Sequence, residues 1–396
     1  MPREIDRRTF LRTAGLGAAA LALVGCRDGR RPAPPPVDWA GWWRGQEPTG
    51  QLTFANWPYY IDRTRTGSHP SLDRFSASTG TAVEYVRAIR GNAPFLEKIE
   101  PALRAGEPTG YDIIVMTNGL EFSRLLFEDW LTPLDPSRMS SFHQHAGPSV
   151  RSPSWDPGNQ YTMAWQSGLT GLAFRPEATE ALGRPPDSVA DLWDPALAGH
   201  VGMMADLMDL GSVGLLRLGI APDASFPPDW TLAANELRRQ ADAGIVRAYY
   251  DQEYVGAIKS GDVWLTQAWS GDIYQLRLEG FVEIEFTMPR EGGVQWTDNM
   301  AIPKGAEHPA DAMALMDFVY HPNIAAMIAD WVGYVSPVPE AADLVADRYG
   351  DLEAAQSPLL FPTDDEMAAF QTYPRFEDSE HEALWRSTFQ AVVDGH

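Results

Sequence analysis

Cysteine is almost missing from this chain. One occurs in 396 residues, at position 26, which excludes a disulfide framework and any multi-cysteine zinc site. Basic side chains are scarce as well: 31 Lys and Arg face 54 Asp and Glu, and the formal charge of −23 argues against a nucleic-acid partner while leaving a cationic ligand open. No Gly-rich phosphate loop, Gly-x-Ser-x-Gly elbow or His-Glu-x-x-His pair occurs after the first 25 residues, so three common enzyme classes lose their best support. His143 and His145 sit in a Ser/Gly-rich stretch without a third ligand and read as solvated side chains; neither a metal nor a cofactor is expected. What remains is a 44% apolar chain long enough for two or three domains.

The single cysteine has a context. Arg7 and Arg8 precede Thr9-Phe10-Leu11, and an uncharged run of 13 residues, 13–25, leads to Leu23-Val24-Gly25-Cys26. That run is too short for the roughly 20 residues a membrane-spanning helix needs. The paired arginines resemble a twin-arginine export signal, and the ending resembles a bacterial lipobox, whose cysteine is acylated after cleavage before it. Residues 1–25 are therefore set aside as a signal peptide, and the product is expected to be exported and lipid-anchored through Cys26, facing the periplasm or the cell exterior. Cleavage removes four Arg and two acidic residues, leaving the exported part at −25. Residues 26–50, with Pro32, Pro34, Pro35 and Pro36, read as a stiff extended tether. For Trp39, Trp42 and Trp43 within it, docking on a lipid interface and docking on the folded body both stand open.

From position 51 strand-like and helix-like segments alternate, which predicts α/β layers with helices over a largely parallel sheet. Strands are expected at 51–55, 82–86, 111–116, 199–204 and 263–269, with a half-exposed one at 282–286 where Val282, Ile284 and Phe286 alternate with acids. Helices are expected at 93–105, 121–130, from 212, at 230–244, 310–319 and 324–332, and a helical region at 366–393. Three of the predicted strand ends carry aromatics beside Gly turns and acids: Asn56-Trp57-Pro58-Tyr59-Tyr60, Trp269-Ser270-Gly271-Asp272 and Gly292-Gly293-Val294-Gln295-Trp296-Thr297-Asp298-Asn299. Strand ends are where open α/β sheets bind ligands. A ring face attracts an organic cation by about 0.5–2 kcal/mol, and burying that charge requires carboxylates, which Asp206, Asp209 and Asp298 can supply. Each feature has a plainer reading, the tryptophans as core and Asp206-x-x-Asp209 as a helix cap; their recurrence at successive strand ends favours a binding site.

Over 52–338 the chain resembles the spermidine/putrescine-binding proteins of bacterial ABC importers, within the extracellular solute-binding superfamily. The likeness rests on Asn56–Tyr60, Tyr111-Asp112-Ile113-Ile114-Val115, Asp191-Leu192-Trp193, Trp269-Ser270-Gly271, the run Gly-Gly-Val-Gln-Trp-Thr-Asp-Asn-Met-Ala-Ile-Pro at 292–303, and Val332-Gly333-Tyr334-Val335-Ser336-Pro337. It implies a two-lobed periplasmic-binding-protein fold, type II-like, closing on its ligand in a cleft between lobes. The lobes would comprise 51–168 with 296–335, and 169–295 with 336–396. By position, Trp57, Tyr60, Trp269, Trp296 and Tyr334 would be aromatic walls, Asp206, Asp209 and Asp298 the ammonium partners, and Thr117 a polar contact. The implied partners are a polyamine or related organic cation and ABC permease subunits with their ATPase; no reaction is implied. Gly119 departs from the pattern, standing where the family commonly has a tyrosine, so one side of the box is expected to be open unless Trp165 or Tyr254 fills it. A neutral sugar on the same fold is the nearest alternative. A secreted glycoside hydrolase using two of the carboxylates is the alternative of another class, and no acid here has a sequence context that suggests a raised pKa.

Cys26→Ser is expected to abolish metabolic labelling by fatty acid and to leave uncleaved precursor or a soluble product. A wild-type chain that takes up no acyl label and stays with the membrane equally well after the substitution would contradict the anchor.

Overall fold

The computed structural model describes residues 37–363, 366–367 and 370–395. Arg7, Arg8, Cys26 and the start of the tether lie outside the described residues. Residues 37–41 belong to a small N-terminal unit, where the Asp38 carboxylate accepts from the Gly41 amide at 2.9 Å. The unit from Trp42 onward carries the sheet, the cores and the site. Trp43 belongs to its core at 2% exposure. Its Nε1–H donates to the Pro133 carbonyl at 2.8 Å, and the Arg138 guanidinium lies 5.5 Å from the ring centre. For this tryptophan, docking on the body is the outcome. The Thr49 and Gly50 amides then donate to Asp311.

Among the described residues ten strands form one sheet: β1 Gln51–Ala55, β2 Ala82–Val86, β3 Ile113–Thr117, β4 Thr162–Phe174, β5 Val201–Met204, β6 Val246–Tyr250, β7 Leu265–Trp269, β8 Glu285–Thr287, β9 Val294–Ala301 and β10 Gln371–Thr372. The order is β2-β1-β3-β9-β4-β7-β5-β6, with β10 on β9 and β8 on β4. Between and around them run α1 Pro70–Thr79, α2 Asn92–Ala105, α3 Leu120–Phe127, α4 Leu207–Arg217, α5 Pro227–Asp242, α6 Ser270–Leu278, α7 Pro309–Phe318, α8 Pro322–Val332 and α9 Ser379–Val393, with shorter helices in the connections. Pro70, Pro309 and Pro322 each open a helix, where a missing N–H breaks no helical hydrogen bond.

The two flanks of the sheet are parallel, as the alternating sequence predicts. The centre differs: β3–β9, β9–β4 and β4–β7 are antiparallel. Two long strands account for this. β4 is buried at all 13 positions, starting in one apolar core with Met163, Ala164 and Trp165 and ending in a second with Leu172 and Phe174. β9 makes the return, from Val294 and Trp296 in the second core to Met300 and Ala301 in the first. Both strands interleave buried polar residues, Gln166, Ser167 and Thr170 in β4 and Gln295, Thr297, Asp298 and Asn299 in β9, so neither shows an apolar run or a clean alternation from which its burial and direction could be read.

Several segments depart from expectation: the helix expected from 212 begins at Leu207, and the run 292–299, expected beyond a strand end, lies mostly within β9. The strand foreseen at 282–286 shortens to Glu285–Thr287, with Val282 left 73% exposed. Within 366–393 the continuous helix begins only at Ser379, capped by Asp378, because Pro374 resists helix just before it and residues 371–372 pair with β9 instead. Val338, Ala341, Val345 and Leu360 pack in the first core, although the boundary expected at 336 assigns them to the second lobe. The chain rejoins the second core at Tyr373, Phe376, Trp385 and Phe389.

Trp43→Ala is expected to destabilise the fold by about 3–5 kcal/mol, the usual cost of emptying a buried tryptophan site. Urea denaturation of the two proteins measures it; a loss under about 1 kcal/mol would place Trp43 outside the cooperative unit.

Candidate ligand-binding site

Register builds the centre of the site. β3 and β9 pair so that Thr117 stands opposite Asp298, and the Thr117 hydroxyl donates to Asp298 Oδ1 at 2.6 Å. The loop after β1 brings Tyr60, whose hydroxyl donates to Oδ2 at 2.7 Å. Asp298 is only 4% exposed and both of its protein donors are neutral hydroxyls. Burial therefore dominates and pushes its carboxyl up to about 6, against the opposing pull of those two bonds. The Tyr60 and Tyr334 phenols are driven well above their ordinary range by burial and adjacent carboxylates, so both remain protonated donors.

Aromatic rings extend from this carboxylate in an unbroken series. Tyr60 meets Tyr334 at 5.6 Å between centroids, Tyr334 meets Trp296 at 5.6 Å, and Trp296 meets Trp269 at 6.4 Å. Two glycines make room for it. An added Cβ would stand 2.2 Å from the Trp296 ring at Gly168 and 2.4 Å from the Tyr334 ring at Gly271. A two-way backbone bridge between Ser167 and Val335, at 2.9 and 2.8 Å, holds Tyr334 beside β4.

At the far end the Trp269 Nε1–H donates to Asp209 Oδ2 at 2.8 Å, and the Tyr373 hydroxyl donates to Oδ1 at 2.7 Å. Burial raises the Asp209 carboxyl, with its two donors pulling the other way. Asp206 is the N-cap of α4, one oxygen accepting from the Met208 and Asp209 amides at 2.9 and 3.0 Å. The cap reading of Asp-x-x-Asp thus holds for Asp206 and fails for Asp209. Asp206 is open to solvent yet hemmed in by protein on most sides, as a group lining a narrow cleft is; desolvation, then Asp209, pushes it up to about 7. The absence of raised carboxyls expected from the sequence is therefore corrected, since burial by distant segments produces the shifts.

Eight of the nine expected site residues thus lie in one connected set. Trp57 stands apart: its Nε1–H donates to the Val115 carbonyl at 3.1 Å, two residues before Thr117, without a ring contact to the other walls. Three participants escaped the sequence reading. Tyr373 lies in a stretch expected to be helical. Asp272, which accepts from the Tyr254 hydroxyl at 2.6 Å and lies beside Tyr334, was visible in Trp-Ser-Gly-Asp. The third, Met208, overturns the open side expected at Gly119: its Cγ lies 3.1 Å and its Sδ 3.5 Å from where a Cβ at 119 would be. Trp165 and Tyr254 add no wall; Trp165 donates to the Tyr60 carbonyl, and Tyr254 supports Asp272 and the Trp269 amide.

Among the described residues no basic side chain hydrogen-bonds or ion-pairs with Asp206, Asp209, Asp272 or Asp298. The nearby Glu121 is paired, to Arg386. That pair belongs to a network between α3 and α9: Arg124 grips Glu382 through Nε at 2.9 Å and a second contact, and Arg386 reaches Glu382 at 3.1 Å and Glu121 at 2.8 Å. Glu382 is 1% exposed. No group of three or more metal-ligating side chains occurs among the described residues, and no helix among them is long and apolar enough to cross a membrane.

Two cores joined by long crossing strands, with a polar and aromatic site where they cross, define the two-lobed periplasmic-binding-protein fold. Solved structures agree. The chain superposes on the spermidine/putrescine ABC transporter substrate-binding protein PotD of Streptococcus pneumoniae with a TM-score of 0.71 at 24% identity, covering 87% of this chain and 98% of that one. For the TpPotD lipoprotein of Treponema pallidum the TM-score is 0.69 at 20% identity, covering 86% and 99%. The spermidine/putrescine-binding periplasmic protein of Escherichia coli K12 is 26% identical over 312 residues, 78% of this chain and 83% of the relative. Residues 71–357 match the model of the bacterial extracellular solute-binding proteins, and the chain belongs to that family.

The raised carboxyls set a pH dependence. An acid whose folded pKa exceeds its unfolded value favours the fold below that range and withdraws this support as pH rises through it. Between about pH 4 and 7 the ligand-free protein is expected to lose stability, Asp298 contributing roughly 2–3 kcal/mol. Asp298→Asn should flatten this slope in denaturant titrations at pH 5 and pH 8; equal slopes in the two proteins would contradict the assignment.

Proposed function

We propose that this protein captures a polyamine or related organic cation outside the cytoplasm and passes it to the permease and ATPase subunits of an ABC importer. One observation carries the reading: four carboxylates line an aromatic-walled site with no basic side chain among the described residues paired to them, an arrangement that an ammonium-bearing ligand completes. Tyr60, Trp269, Trp296 and Tyr334 would flank the methylene chain, with Trp57 at the margin. Asp298 with Thr117 would take one ammonium, and Asp206 with Asp209 the other. Relatives described as spermidine/putrescine-binding support the ligand class and a role in binding. The lobes are taken as 51–168 with 296–335 against 169–295 with the C-terminal part, the segment from Val338 to Leu360 packing with the first. The lipobox at Cys26 supports a lipid anchor facing the periplasm or exterior, in keeping with the relative from Treponema pallidum described as a lipoprotein.

Removing one partner of a buried charge pair costs roughly 2–5 kcal/mol, so Asp298→Asn is expected to weaken putrescine and spermidine binding by about 30-fold to several thousand-fold in calorimetry. Trp296→Ala should cost less through its ring face alone. Salt should weaken wild-type binding, as for charged ligands and unlike sugars. Equal affinity in Asp298→Asn and wild type, or binding indifferent to salt, would sink the reading.

A further inference from the structure

Beside the carboxylate site lies a cavity of opposite sign. The segment after β1 and the end of β2 border a cavity of about 120 Å³, lined in part by Tyr59, Arg63, His69, Tyr85 and Arg87. This is the carboxyl end of two parallel strands, the side of such sheets on which ligands bind. Among the described residues neither Arg63 nor Arg87, both exposed at the mouth of this cavity, has a carboxylate within ion-pair reach. The nearby acid, Asp62, is 4% exposed and occupied by the Ser71 amide and hydroxyl. His69 is fixed through Nδ1 on the Asp62 carbonyl at 2.8 Å, with its ring 4.7 Å from Tyr85. Tyr59 lines the same space with a backbone φ of 59° and 72% exposure, an unfavourable combination for a large aromatic residue of the kind that gathers at binding sites.

We infer that this cavity binds an oxyanion, a phosphate or carboxylate group held by the Arg63 and Arg87 guanidinium groups, whose forked N–H donors match such oxygens. It adjoins the cation site through the segment from Trp57 to Tyr60, since the Tyr85 hydroxyl donates to the Trp57 carbonyl at 3.2 Å. The inference stands independently of the cation reading. The group comes either from a free anion or from a carboxylate carried by the transported molecule.

Inorganic phosphate titrated against chloride at equal ionic strength tests this. Phosphate is expected to raise the melting temperature of the wild type saturably, and Arg63→Ser/Arg87→Ser to weaken that response at least about tenfold, each guanidinium contributing roughly 10- to 100-fold. Putrescine affinity of the double variant reports its fold, and Arg63→Lys and Arg87→Gln singly serve if the double variant unfolds. A second arm titrates 6-aminohexanoate. Binding that phosphate displaces, and that both the arginine variant and Asp298→Asn weaken, marks a carboxylate borne by the cargo; a phosphate response with 6-aminohexanoate indifferent to the arginines marks a free anion. If neither probe responds to loss of the arginines, the inference is wrong, whatever the fate of the cation site.

Discussion

A carboxylate taken out of water without an opposite charge is the constraint on which this structure turns. Asp298 is buried where β3, β9 and the loop after β1 meet, and only two hydroxyls attend it. Hydroxyl donors offset part of the desolvation and leave the charge uncompensated. Asp209 repeats the arrangement with an indole and a phenol. Neutral donors orient each acid without supplying a positive charge, and burial without one raises both carboxyls above their ordinary range.

Holding such groups in place requires a stiff support, and the crossing strands provide it. Thr297 and Asn118 are hydrogen-bonded in both directions, at 3.0 and 2.7 Å, one rung along from the Thr117–Asp298 pair. Ser167 bonds Thr297 through its hydroxyl at 2.8 Å, and Trp155 fixes Asn299 at 3.1 Å. Every second residue of β9 from Trp296 to Met300 faces one way, so Trp296 and Asp298 share a face and wall and charge are set by one strand. Rigid elements position binding groups more closely than loops do.

What the sequence revealed follows from how local each feature is. Trp296 and Asp298 stand together in one short run with Gly292 and Gly293, and Trp57 and Tyr60 in another, so both groups were legible. Asp206 as a cap was legible for the same reason, since its partners are its own next residues. Tyr373 and Met208 were not. Tyr373 reaches Asp209 across 164 residues, and Met208 meets Gly119 from another helix; no periodicity marks such contacts. The pKa shifts were hidden likewise, because burial is imposed by segments far away in the chain. Sheet direction was illegible at the centre, where β4 and β9 mix buried polar and apolar residues without a clean alternation.

The clasp between α3 and α9 bears on when this protein can fold. Trp385 and Phe389 of α9 complete the second core against Trp230 and α4, while Glu382 and Arg386 on the same helix take hold of Arg124 and Glu121 more than 250 residues earlier. A nascent chain therefore lacks the closing piece of its second core until α9, Ser379–Val393, has left the ribosome. Contacts of such sequence separation form slowly. An incomplete second core thus stays exposed while the 250 or more residues between α3 and α9 are made, and the core closes only once α9 emerges.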